Sequence, residues 1–173
     1  MSSVLDITYA RPQKAEASVQ ASLLGANIYA GLGNRKISLS QGLRYKTNQY
    51  MLGSLETKGE YSPSFLDYQA YLSWTPSEKW TFDLIGYISK NDYNFKPKDR
   101  ETNFGTLEDV KSFKVYFDGK EEGLFRTLYG TFKITRKWEH KHALSLSASA
   151  FNTKERETYD IQGQYWLNET TSD

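Results

Sequence analysis

Leu66-Asp67-Tyr68-Gln69-Ala70-Tyr71-Leu72-Ser73-Trp74-Thr75 is the stretch on which the fold turns. Leu66, Tyr68, Ala70, Leu72 and Trp74 fall on one parity; Asp67, Gln69, Tyr71, Ser73 and Thr75 fall on the other. Successive side chains of a β-strand point to opposite faces, so strict alternation over this length predicts a strand with one apolar and one polar face. The next run, Trp80 to Ser89, repeats the pattern, with Trp80, Phe82, Leu84, Gly86 and Ile88 against Thr81, Asp83, Ile85, Tyr87 and Ser89.

The same reading extends outward in both directions. Ile37 to Lys46, Leu128 to Trp138 and Ala143 to Phe151 alternate in the same way, and Ala15 to Leu23 and Ala26 to Leu32 do so with smaller apolar residues. Arg136 interrupts the apolar side of its run near the end, where a long cationic side chain can reach an interface. Gly25 suits a tight reversal between the first two runs. The reading gives seven strands, plus a short leading strand in Ser3 to Tyr9. Three connections are short, Gly33 to Lys36, Pro76 to Lys79 and Glu139 to His142, and they alternate with longer ones near Asn48 to Phe65 and Asn91 to Phe125. Outer-membrane barrels alternate short periplasmic turns with long extracellular loops in this manner. Trp74 and Trp80 flank the second short turn and Trp138 the third, all on the apolar parity, which suits an aromatic girdle at a membrane interface.

The expected fold class is therefore all-β: an antiparallel up-and-down transmembrane β-barrel segment. Alternating strands also build soluble sandwiches and lipocalin-like barrels, in which the apolar face points inward. The direction of that face discriminates: outward over all strands favours a membrane, inward a cavity for an apolar ligand.

Composition agrees with the strand reading and removes several function classes. Of 173 residues 38% are hydrophobic and 25% charged, so no stretch approaches the roughly 20 apolar residues of a spanning helix. The 13 Tyr, 9 Phe and 4 Trp are an excess that the core of a soluble β-domain or the interfacial girdles of a membrane barrel would absorb. A net charge of +1 argues against nucleic acid as a partner. The absence of cysteine excludes disulfides and thiolate metal sites. The first residues, Met1-Ser2-Ser3-Val4, have neither the charged nor the apolar region of a signal peptide.

Signals of chemistry are few. His140-Lys141-His142 could start a metal site, but no third ligand is near in sequence, and a solvated turn is the simpler reading. Asp67 and Asp83 lie on polar faces of neighbouring strands, where paired carboxylates can do acid–base work or merely line a wet lumen. No nucleophile elbow and no phosphate-binding glycine loop is present; Gly31-Leu32-Gly33 is a strand end. Neither a catalytic residue, a metal site nor a cofactor is expected, and the chain reads as a non-enzyme. The stretch Asn91 to Phe125 combines Tyr93, Phe95, Phe104, Tyr116 and Phe117 with Lys96, Lys98, Asp99, Arg100, Asp118 and Glu121, a mixture that suits a sugar- or chelate-binding loop. Arg100 and Tyr116 are the ligand-binding candidates within it. A loop hairpin packed on itself is the alternative, with a turn at Asp118-Gly119.

Met1 to Tyr9, Ser22-Leu23-Leu24-Gly25-Ala26, Asn103 to Leu107, Val115-Tyr116-Phe117-Asp118-Gly119 and Tyr159 to Leu167 together resemble, in order and spacing, the TonB-dependent outer-membrane receptors of Bacteroidetes type. Such receptors are barrels of 22 strands around an N-terminal plug, and they import siderophores, cobalamin or glycans with energy from the TonB complex. The resemblance implies that residues 1–11 are the last plug-like strand and its linker, and that residues 12–173 are the N-terminal part of the barrel. It implies a place in the bacterial cell outer membrane, with outer-membrane lipid and a small-molecule or glycan substrate as partners. TonB itself would engage only through an N-terminal region that this sequence does not include. At roughly 9–11 membrane residues per strand plus connections, the chain accommodates about a third of such a barrel. Seven strands is an odd number, and the polar end at Trp166 to Asp173 lacks a terminal aromatic, so the reading is of a fragment. The alternatives are a small autonomous outer-membrane barrel and a soluble β-barrel binding an apolar ligand.

Overall fold

The computed structural model describes residues 7–48, 59–105, 110–138 and 142–170. These residues form strands and turns and no helix. Nine strands are present among them: β1 (Glu16–Ser22), β2 (Gly25–Gly33), β3 (Ile37–Thr47), β4 (Gly59–Tyr61), β5 (Ser64–Ser77), β6 (Trp80–Pro97), β7 (Arg100–Gly105), β8 (Val110–Trp138) and β9 (His142–Thr170). They make one antiparallel, up-and-down sheet in the order β1-β2-β3-β5-β6-β8, with β9 also on β8. The short β4 pairs with the end of β6, and β7 pairs with the start of β8.

Local chemistry explains the turns. In the β1–β2 hairpin, Ser22 pairs with Gly25 and only Leu23 and Leu24 lie between. The Ser22 hydroxyl accepts from the Leu24 amide at 3.2 Å and donates to the Gly25 carbonyl at 3.3 Å. Gly25 has φ 144°, and a Cβ there would run into the backbone of Tyr45 on β3, so both the turn and the neighbouring strand demand glycine. Between β2 and β3, the Asn34 side chain accepts from the amides of Lys36 (2.8 Å) and Ile37 (3.0 Å), an Asx-type turn.

The seven strands expected from alternation correspond to β1, β2, β3, β5, β6, β8 and β9. Two expectations are corrected. The stretch Asn91 to Phe125 is not a long loop: β6 runs on to Pro97, β7 follows, and β8 begins at Val110. Asp118-Gly119 is not a hairpin turn either; it lies inside β8, where Gly119 at φ 95° kinks a strand that continues. Both strands of the last pair are 29 residues long. Of the expected leading strand, Ile7 to Tyr9 are not in a strand, and the rest lies outside the described residues.

Contacts group the chain into two units. One comprises residues 1–46, 65–90 and 125–154, the other residues 47–64, 91–124 and 155–173. The first carries the alternating strands and lacks an apolar core in the usual sense. Tyr71 is the one buried hydrophobic residue among the described residues, and no large side chain is fully buried. The buried residues are instead polar: Ser38, Ser40, Asp67, Ser73 and Ser89.

Candidate functional site

The first unit is organised as one apolar and one polar face, and pair register shows that the two faces stay in phase from strand to strand. Val19 of β1 pairs with Ile28 of β2, which pairs with Leu43 of β3. On β8 and β9 the hydroxyls of Thr131 and Ser149, and of Thr135 and Ser145, meet at 2.9 Å on the polar side. The opposite side presents Leu66, Leu84, Ile88, Leu128, Phe132, Leu144 and Leu146, all exposed, with Leu146 at 71%. Burial is thus inverted relative to a water-soluble sheet, whose apolar parity would be the covered one.

Two charge clusters stand on the polar face. In the first, Asp83 accepts from Arg11 at 3.0 Å and from the Tyr71 hydroxyl at 2.8 Å, and Arg11 Nε donates to the Tyr71 oxygen at 3.0 Å. The Tyr9 ring stacks on Tyr71 at 5.0 Å, and Gln69 donates to the Tyr9 hydroxyl. These contacts lay the segment Ile7 to Arg11 along the polar face, beside a cleft of about 520 Å³ whose lining includes Ile85, Thr131 and Lys133. In the second cluster, Asp67 accepts from Arg44 Nε at 2.9 Å and from the Tyr87 hydroxyl at 3.1 Å. Each carboxylate is therefore neutralised by its own arginine and fixed by its own tyrosine. The sequence had suggested that Asp67 and Asp83 could work as a pair; in the structure they belong to separate clusters. A buried carboxylate needs such partners, because leaving it unpaired in a low-dielectric site is costly. Sequence reasoning missed Arg11, since nothing local marks a partner 72 residues away.

An aromatic cluster occupies one end of the apolar face. Trp74 stacks on Phe82 at 5.2 Å, Trp80 on Phe82 at 6.1 Å, and Phe82 lies 6.5 Å from Phe132. The Arg136 guanidinium sits over two rings, Trp80 at 5.1 Å and Trp138 at 4.7 Å. Trp74, Trp80 and Trp138 are all exposed on this face, as their parity implied. Arg136, which breaks the apolar alternation, is accommodated by cation–π contacts.

Arg100 and Tyr116, the ligand-binding candidates, lie in the second unit on adjacent strands. Arg100 pairs with Val115, so Tyr116, the next residue along, points to the opposite face. Their backbones are brought together and their side chains are not. Asp99 instead caps the backbone there, accepting from the Phe117 amide at 2.8 Å. Tyr61 of β4 packs on Phe95 at 4.6 Å and near Tyr93 at 6.4 Å, so two aromatics assigned to a binding loop serve strand packing. Burial, then the Glu121 charge, pushes the Tyr93 hydroxyl above its ordinary pKa. Glu101, hydrogen-bonded by Lys114 and Ser112, is held below the usual carboxylate range. His140 and Lys141 lie outside the described residues. Among the described residues no group of three or more His, Cys, Asp or Glu is placed to hold a metal ion.

Comparison with protein-family models, with curated proteins and with solved structures gives no match to this chain.

Proposed function

We propose that this chain is a section of the wall of an outer-membrane β-barrel, of the TonB-dependent receptor kind, and that it contributes to uptake of a small nutrient such as a siderophore, cobalamin or a glycan. The observation that carries the reading is the inversion of burial: a continuous exposed apolar face opposite a polar face that holds the buried charges. Water would penalise so large an exposed apolar surface, whereas hydrocarbon does not. The dimensions fit. Leu128 to Trp138 covers about 33 Å at roughly 3.3 Å per residue, which becomes about 25 Å across a membrane at a tilt of about 40°, the height of a barrel's apolar band. Strand edges favour a larger assembly. Among the described residues β1 pairs with β2 alone and β9 with β8 alone, and an open edge in lipid leaves backbone groups unsatisfied at several kcal/mol each. The polar face, with Arg11, Arg44 and the tyrosines, is the side along which a polar solute would pass.

Cysteine scanning tests the proposal, because the chain contains no cysteine of its own. Single cysteines at Leu84, Phe132 and Leu146 in vesicle-reconstituted protein should resist a membrane-impermeant maleimide. Cysteines at Ile85, Thr131 and Ser147 should react with it once the polar face is accessible. Equal reactivity on both parities would refute a lipid-facing apolar side.

A further inference from the structure

The far end of the apolar face from the tryptophans carries a feature that neither wall nor girdle explains. A groove of about 460 Å³ is lined by Leu66, Ile88 and Leu128 together with Lys90, Arg126 and Lys154. All six residues share the apolar parity of their strands. The cations follow the aliphatic residues by two positions on β6 and precede them by two on β8, so they stand at one edge of the apolar surface. The register that sets Thr131 against Ser149 and Thr135 against Ser145 also sets Arg126 opposite Lys154, because both pairs sum to 280 and so do 126 and 154. Arg126 and Lys154 are exposed, and among the described residues no acidic one lines the groove.

We infer that this groove seats one phosphate-bearing lipid, with its acyl chain along Leu66, Ile88 and Leu128 and its phosphate against Arg126 and Lys154, with Lys90 beside them. The inference rests on the membrane-wall reading and deepens it. Charge and shape together select this occupant. Like-charged side chains placed side by side on adjacent strands repel one another and are stabilised by an anion. The aliphatic floor directly beside them favours an amphiphile over a soluble phosphate. Cations at the edge of an apolar band meet lipid headgroups at the depth where their phosphates lie.

The test is vesicle flotation of the purified full chain, with phosphatidylcholine vesicles compared with vesicles containing one-fifth phosphatidylglycerol. Wild-type protein should bind the anionic vesicles more tightly. A cation near an anionic surface contributes about fivefold in affinity, so Arg126→Gln with Lys154→Gln should reduce that preference roughly 25-fold. Lys133→Gln with Lys137→Gln removes the same charge from the other face of β8 and should leave the preference within about twofold, while Arg126→Lys should retain it. Strand content by circular dichroism confirms that each variant is folded. An equal loss in both double variants, or no loss in the first, would overturn the inference. So would displacement of the wild-type preference by 10 mM inorganic phosphate or by a soluble phosphopeptide. Failure of wild-type protein to bind either kind of vesicle would remove the membrane reading itself, an outcome distinct from loss of the preference alone.

Discussion

Leu84→Arg separates a lipid-facing strand from a water-facing one more sharply than any other single exchange. Leu84 is 48% exposed on the apolar face of β6, four residues beyond Trp80 at the girdle. Four residues at roughly 3.3 Å and a tilt of about 40° place it about 10 Å below the girdle, close to the middle of an apolar band about 25 Å tall. An arginine at that depth costs about 2–4 kcal/mol, or roughly 30- to 700-fold in the folding equilibrium. In water, replacing a half-exposed leucine by arginine changes stability by about 0.5 kcal/mol or less. Leu144 supplies the internal control. The β8–β9 register sets it opposite Arg136, at girdle depth, where the cost falls to about 0–1 kcal/mol. The assay is urea unfolding in phosphatidylcholine vesicles followed by tryptophan emission, with Leu84→Ala and Leu144→Ala as references. Equal costs for arginine at the two sites, or a cost near zero at Leu84, would refute the depth assignment and with it the lipid-facing side.

Other consequences follow from single contacts. Asp83→Asn removes the charge that holds Arg11; with Arg11 about half exposed the loss is about 0.5–1 kcal/mol, and trypsin should cleave the Lys14–Ala15 bond, three residues beyond Arg11, about two- to fivefold faster. Gly119→Ala meets the backbone of Asp160 and a φ of 95°, so hydrogen exchange should accelerate on both sides of the kink in β8 and in the facing part of β9, while Leu128 to Trp138 keeps its protection. The Glu101 carboxylate, its pKa depressed by Lys114 and Ser112, stabilises β7 above the unfolded carboxyl value near 4.5 and loses that contribution as pH falls through the lower folded value. Amide protection of β7 should therefore weaken on acidification from pH 6 to pH 3, and Glu101→Gln should abolish this dependence.

What could be read from the sequence divides along physical lines. The alternating strands were legible because one of their faces is apolar, which stamps period two on Leu66 to Thr75 and Trp80 to Ser89. The first half of β8, Val110 to Arg126, carries no such stamp. Lys111, Lys114, Asp118, Lys120, Glu121, Glu122 and Arg126 fall on both parities, so pattern alone reads loop. Its strand character comes from pairing with β7 and β9, which a local window does not contain. Asp118-Gly119 misled for a related reason: the dipeptide marks a positive φ, and a kinked strand uses one as readily as a hairpin does. The three tryptophans were legible in position because parity placed all of them on the apolar face. The clamp of Arg136 between Trp80 and Trp138 was not, since it spans two strands joined across the sheet.

The few polar groups on the apolar face argue for its environment. Along β3, β5, β6, β8 and β9 this face carries Gln41, Tyr45, Tyr68, Arg136 and Asn152 as its polar members between the Trp level and the cation row. Tyr68 donates to Gln41 at 2.7 Å, so two of them satisfy each other across neighbouring strands. Arg136 lies between two indole rings. An exposed glutamine in water needs no protein partner, because solvent satisfies it at no cost. In hydrocarbon an unpaired amide or hydroxyl costs several kcal/mol, and a tyrosine from the next strand is the nearest remedy. Gln41, Tyr68 and Arg136 thus follow the rule that lipid would impose. The cations Lys90, Arg126 and Lys154 stand where that rule ends, at the edge of the belt.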